Sequence, residues 1–524
     1  MQSIQEATTV PLGSHQDHPQ AGFGGVIVAA MDFILRSCSS ALALSLALAT
    51  TLSGCGDDSG PSEDSDSATD SSTSSGATSE TSTSGETDTD TDTDTDTDSG
   101  TDSDTGGLLN DFPVGGCGLP EYPLVDRDTM GEIVDWKELY ALSASEIDDL
   151  LALQGFEALG PAKSGARLYL IRYVTQDRGI AVEATAYVAT PTDLEGELPA
   201  AVWHHGTSGF NDTCGPTADS QAGFVPLLMA SMGLIAVAPD YLGMNGWGAP
   251  SGMLHPYVVA EPTAIASLDS LRALHRFAAG EGDPDLEVSP SAQTLLWGAS
   301  EGGFAAFWAD RYAPHYAPEF EIAAVVAAVP PTDTTALTRY ATSGISPATG
   351  ALAAALATGH DWYEFEKPLS EVLVAPWDTD LKDILMAECS FSDFDDISNV
   401  DEVYTQWIRD SLANDDIEGL GNWGCMLEQA TLHSSVIERI SDTPVLVTLG
   451  ELDDLVYTPT VRDDIPTLCS QGYEIEVIEC AGAGHSEGAI FSLAYQRDWA
   501  FARLAGEPIG ENCIISDPVD CSML

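Results

Sequence analysis

The chain has 524 residues, of which 83 are Asp or Glu and only 18 are Lys or Arg, giving a formal net charge of -65 at pH 7. So acidic a protein excludes nucleic acid as a partner, because binding phosphates requires clustered positive charge. Only four lysines occur, Lys137, Lys163, Lys367 and Lys382, and the excess of carboxylates predicts solubility and a habitat salty enough to screen their repulsion.

Residues 1–30 read as an over-extended start, since Met31 opens a segment with the order of an export signal. Arg36 is followed by the apolar run from Ala41 to Ala49 and then by Leu52-Ser53-Gly54-Cys55. That run is too short to span a bilayer comfortably but suits a signal peptide, placed at 31–54. Its last four residues resemble a bacterial lipobox. The resemblance implies cleavage before Cys55 and a lipid on its thiol, anchoring the protein in a membrane at the outer membrane or cell surface; the alternative is an ordinary secreted protein cut nearby. From 55 to 107 the chain is almost entirely Ser, Thr, Asp, Glu and Gly, with the Thr-Asp repeat from Thr87 to Asp98 near its end. With no apolar groups to bury, this segment cannot offset its ordering entropy and is expected to be a solvated linker. A calcium site in the repeat is disfavoured, because the Gly turn and distal Glu of an ion-binding loop are missing.

Beyond Cys38 and Cys55 remain Cys117, Cys214, Cys389, Cys425, Cys469, Cys480, Cys513 and Cys521. An even set in an exported chain points to disulfides, of which eight cysteines allow about 105 pairings. Short-loop pairs Cys389 to Cys425, Cys469 to Cys480 and Cys513 to Cys521 would leave Cys117 with Cys214. No C-x-x-C or His/Cys cluster suggests a zinc site.

From residue 117 the pattern becomes that of one large core. Arg167 to Tyr173 and Ala181 to Val188 alternate like an antiparallel pair with one wet face. Ala200 to Trp203, Leu234 to Ala238, Thr294 to Trp297 and Ala323 to Val329 are instead nearly continuous apolar runs, as strands buried on both faces require. A helical segment from Ala264 to Phe277 lies among them, so a mostly parallel sheet with helices on both faces is expected over 117–333. Late strands at Pro444 to Leu449 and Glu474 to Ile478 complete it within 441–524. The intervening 334–440 is too long for a structureless loop and reads as an inserted helical cap.

Gly298-Ala299-Ser300-Glu301-Gly302 sits between the apolar run Thr294 to Trp297 and the Ala- and aromatic-rich Gly303 to Trp308. Strand, sharp turn and helix are what a nucleophile elbow requires, making Ser300 the candidate nucleophile. A serine hydroxyl attacks only when a histidine takes its proton and a carboxylate orients that histidine. In hydrolases whose nucleophile sits on such an elbow the chain order is Ser, acid, His. His485 is the last histidine and the only one after His433, so it is the base, carried on the small-residue loop after Glu474 to Ile478. Asp453, in the turn after Leu449, is favoured as the acid over Asp454, with Glu451 third. Gly484-His485-Ser486-Glu487-Gly488 repeats the pentapeptide, but Ser486 has no histidine after it and is rejected as a nucleophile. Two N–H donors should face the oxyanion, those of Glu301 and of Thr207 in Trp203-His204-His205-Gly206-Thr207; losing one such donor costs about 3 to 4 kcal/mol in a well-studied hydrolase.

These residues, with Pro239-Asp240-Tyr241-Leu242-Gly243, His255-Pro256-Tyr257 and Leu268-Asp269-Ser270-Leu271-Arg272-Ala273, resemble the secretory lipase (lipase A type) family of α/β-hydrolases over roughly Leu168 to Leu504. The resemblance implies an α/β-hydrolase fold, a carboxylic ester hydrolase acting on a small-molecule or lipid ester, a helical lid and no cofactor. Asp240 and Asp269 match it outside the catalytic machinery and are expected to be structural. No motif of the cap matches, which leaves acyl preference to be set there. A monomer is expected. The competing readings are a serine peptidase using the same three residues and a surface-tethered binding protein without activity.

Overall fold

A computed structural model describes Tyr122, Leu124 and residues 127–524, apart from 220, 221, 285, 391–393 and 395. The export signal, Cys55 and the acidic linker lie outside the described residues. In chain order come strand β1 (Ile133–Leu142), helix α1 (Ala144–Gln154), β2 (Ala166–Asp177), β3 (Ile180–Pro191), β4 (Gly196–His204), α2 (Phe224–Ser231) and β5 (Ile235–Pro239). They are followed by α3 (Ala260–Ala278), β6 (Val288–Ala299), α4 (Glu301–Tyr316) and β7 (Glu321–Ala328). Five α-helices then precede the next strand: α5 (Thr334–Ser343), α6 (Ala348–Trp362), α7 (Trp377–Ala387), α8 (Gln406–Ala413) and α9 (Asn422–Gln429). The last part holds β8 (Pro444–Gly450), α10 (Thr458–Ser470), β9 (Glu474–Cys480), α11 (His485–Ile490) and α12 (Leu493–Leu504).

Among the described residues, all nine strands join one sheet in the order β1-β2-β3-β5-β4-β6-β7-β8-β9. β2 and β3 pair antiparallel from Ala166↔Pro191 to Asp177↔Ile180, and the pairs from β5 through β9 are parallel. This is the mostly parallel sheet with helices on both faces expected from the runs of apolar residues, and it matches the α/β-hydrolase fold that the resemblance implies. Strand periodicity sends successive side chains to opposite faces. Ala200, Val202, Val325 and Ala327 therefore pack on one side of the sheet with α3 and α4, while Ala201, Ala324 and Val326 pack on the other with Leu227 of α2 and Trp499 of α12. Both faces are covered, and that is why these strands read as unbroken apolar runs. β1 was not expected; it pairs antiparallel with β2 at the sheet margin, and half of its residues are exposed and none is fully buried.

The five helices between β7 and β8 build a core of their own, centred on Leu356, Tyr404, Leu412 and Trp423, onto which Phe210, Tyr257 and Val259 of the neighbouring loops also pack. Asp333 starts this segment by accepting the Ala336 N–H at 2.8 Å, capping the first turn of α5.

The disulfides correct the short-loop pairing. Cys214 bonds Cys389, Cys469 bonds Cys513, and Cys480 bonds Cys521; Cys425 is disulfide-bonded as well, and Cys117 lies outside the described residues. The physical reason is that sequence proximity says nothing about which Cα atoms the sheet brings within bonding reach, whereas here each pair's Cα atoms lie 5.2 to 6.1 Å apart. Two of these bonds tie the segment after α12 to α10 and to β9. Val519 donates to Glu479 O at 2.8 Å and accepts from the Ala481 N–H at 2.8 Å, so the last strand's free edge is covered.

Candidate active site

β6 ends at Ala299 and α4 begins at Glu301, leaving Ser300 alone to make the turn. Its backbone adopts φ 59° and ψ -122°, a conformation that costs a non-glycine residue about 1 to 3 kcal/mol and is tolerated where the surroundings enforce it. Ser300 N–H donates to Ala328 O of β7 at 2.8 Å. The flanking glycines are required by close packing: a Cβ at Gly298 would overlap the Gly302 carbonyl, and one at Gly302 would overlap His204 O at the end of β4.

Ser300 Oγ lies 2.8 Å from His485 Nε2. His485 Nδ1 lies 2.6 Å from Asp453 Oδ2. Asp453 follows β8, is buried, and its Oδ1 accepts the N–H groups of Leu455 and Val456, both at 3.0 Å. Asp454 and Glu451 are exposed, and Glu451 instead accepts the Gly482 N–H at 2.7 Å. The structure thus brings together the serine, histidine and acid expected from chain order. One local expectation is corrected: His485 is not in a loop but is the first residue of α11. Three small residues, Gly482, Ala483 and Gly484, bring the chain from β9 into that helix, and a Cβ at Gly450 or Gly488 would strike the adjoining backbone.

Glu301 takes the first position of α4, where a backbone N–H has no intrahelical acceptor and points outward. Its side chain is buried and its Oε1 meets His255 Nε2 at 2.7 Å; His255 Nδ1 is 2.9 Å from Leu242 O. Sequence reasoning placed His255 in a matching tripeptide without a role, and no local signal links it to residue 301. The pair clamps the turn that follows the nucleophile. Thr207 stands in the loop after β4, its hydroxyl donating to Tyr257 Oη at 3.0 Å. That loop is held by Tyr241, whose hydroxyl donates to His205 O at 2.9 Å and whose ring stacks on His205 with centroids 4.3 Å apart. Burial pushes the His205 imidazole down to about 4 and that of His204 to about 3, so neither takes a proton near neutrality.

Asp240 ties the loops after β4 and β5 to β3, and Asp269 ties α3 to β2. Asp240 accepts from Thr185, from Thr217 and from the Gly246 N–H, and burial raises its carboxyl to about 7. Asp269 accepts from Thr175 and Arg272, both at 2.7 Å.

Below the nucleophile, on the α2 and α12 side of the sheet, lies a cavity of 140 Å³. Gly206, Ala299, Ala328 and Ala489 line it beside the residues just described, and none of its lining residues comes from 334–440.

Comparison with known proteins identifies the family and the fold. A family profile described as secretory lipase matches residues 218–512. Lipase 6 of Candida albicans is 24% identical over 357 residues, 63% of this chain and 71% of that protein. A trichothecene C-3 esterase of Fusarium sporotrichioides is 31% identical over 138 residues; the match spans 25% of this chain and 27% of that protein. Among solved structures, a ligand-bound form of the rice cell wall degrading esterase LipA from Xanthomonas oryzae superposes with a TM-score of 0.58 at 20% identity, over 72% of this chain and all of that one (100%).

Proposed function

The chain belongs to the secretory lipase family of carboxylic ester hydrolases, and we propose that it cleaves its ester through a Ser300-His485-Asp453 triad and an acyl-enzyme. The observation that carries this reading is the unbroken line of contacts at the carboxyl ends of the strands, 2.8 Å from Ser300 Oγ to His485 Nε2 and 2.6 Å from His485 Nδ1 to Asp453 Oδ2. Ser300 Oγ attacks the acyl carbonyl while its proton passes to His485 Nε2. The imidazolium so formed is stabilised by Asp453, and the tetrahedral oxyanion is met by the N–H groups of Glu301 and Thr207. Collapse expels the alcohol, which takes the proton from His485. Water then attacks the acyl-Ser300 ester, gives its proton to His485, and the carboxylic acid leaves as Ser300 recovers that proton.

Disulfides and the secretory family both support export. The lipid anchor on Cys55 and a monomeric state belong to the same proposal. Assay of the full chain on p-nitrophenyl esters and on aminoacyl amides tests the reading. Ser300→Ala is expected to lower kcat on esters by at least about 10³-fold with an unchanged circular dichroism spectrum. Ester turnover that survives Ser300→Ala would refute the site, turnover of amides alone would favour a peptidase, and inactivity on both would favour the binding protein.

A further inference from the structure

We propose that the cavity beneath Ser300 is the acyl-binding site and that it selects esters of unbranched, medium-length fatty acids, about six carbons being housed within it; this rests on the ester-hydrolase reading above. Position comes first. Ala299 precedes the nucleophile, Ala328 accepts the Ser300 N–H at 2.8 Å, Gly206 precedes the oxyanion residue Thr207, and Ala489 lies on the helix that His485 opens. All four line the cavity. Three alanines and a glycine, the smallest residues available, form the part of the wall next to the backbone of Ser300.

The chemistry of the wall comes second. Leu228, Met229, Met232, Phe224 and Leu493 supply apolar surface. The polar side chains among the lining residues are already committed. Gln496 accepts from Trp297 Nε1 at 2.9 Å and donates to Ala489 O and Ser492 Oγ, both at 2.8 Å. Tyr187 Oη donates to Pro216 O at 3.0 Å and to Asp219 O at 2.5 Å. His205 Nε2 alone is buried and unpartnered, beside the end that faces Ser300, where an ester has its polar atoms. A sugar or peptide would lose hydrogen bonds to water along the rest of this wall without replacement, whereas a hydrocarbon chain loses none.

Size comes third. The cavity holds 140 Å³, and an engineered apolar cavity of about 150 Å³ is filled by benzene, which sets room for about six carbons. The helical insertion 334–440, from which the acyl pocket was expected, contributes nothing to this wall.

Chain-length profiles on p-nitrophenyl esters test the assignment. With the wild type, kcat/KM is expected to climb about fourfold per methylene from acetate to hexanoate and to flatten beyond octanoate. Leu228→Trp fills the cavity and should lower the hexanoate-to-acetate ratio at least tenfold. α2 runs back from the carboxyl ends of the strands, which places Met232, its C-cap, furthest from Ser300. Met232→Ala should therefore move the plateau to longer chains by about two carbons. Wild-type profiles in both active variants, or in Met232→Ala alone should Leu228→Trp not fold, would overturn the acyl assignment and leave ester hydrolysis standing. A wild-type enzyme silent on every ester would overturn the hydrolase reading itself, and this one with it.

Discussion

At the scale of single residues, the site was legible because chain order is a strong constraint. One histidine follows the last acidic turn, and it alone can complete a hydrolase that starts at Ser300. The choice between Asp453 and Asp454 was harder, since both fit the turn after β8. Burial and the two backbone donors at 3.0 Å separate them. Asp453→Asn is expected to lower kcat on esters by about 10⁴-fold, as removal of the orienting acid does elsewhere, while Asp454→Asn should stay within a factor of two; equal losses in steady-state kinetics would refute the assignment. The Glu301–His255 clamp was not legible, because two residues 46 apart carry no sequence mark of their meeting. A second residue-level consequence concerns pH. His204 is held at about 3 by burial, against about 6.5 in an unfolded chain. Between those values the unfolded state binds a proton that the folded state does not, so this group's contribution is complete above pH 6.5 and is lost as pH falls toward 3. Asp240, raised to about 7, has the opposite slope, so the comparison must be between variants. The stability of the wild type relative to His204→Gln should shrink steadily from pH 7 to pH 4 in denaturant titrations; a constant difference would contradict it.

Elements were legible where burial on both faces makes their apolar runs continuous. β4 through β8 fall into that class. β1 does not: as the outermost strand it leaves most of its side chains partly or fully in water, and its pattern resembles a loop. The tie between elements was also hidden. Cys214, in the segment after β4, is bonded to Cys389, just after α7 of the insertion, across 175 residues of sequence. Asn211 reinforces that tie by donating to Leu385 O at 3.0 Å. Replacing both cysteines by serine should lower stability by about 2 to 5 kcal/mol and speed hydrogen exchange in α7 more than in β6. Uniform exchange rates across both elements would mean that the bond does not anchor the insertion.

For the molecule as a whole, charge governs. A net charge of -65 with 83 acidic groups works against the compact state wherever counterions are dilute. The cations present are spent locally, as Arg272 is between Asp269 and Glu319. Thermal unfolding followed from about 10 mM to about 1 M NaCl should show Tm rising, with most of the gain once the Debye length falls below about 10 Å; a Tm indifferent to salt would contradict it. The covered edge of β9 carries a different lesson, about time. An exported chain crosses a membrane from its amino terminus onward, yet the cross-link that secures this edge joins Cys480 to Cys521. Until residue 521 has emerged, the sheet stands with an unpaired strand open to any other extended chain. Passage across the membrane is therefore the interval in which this edge is most exposed to misassembly.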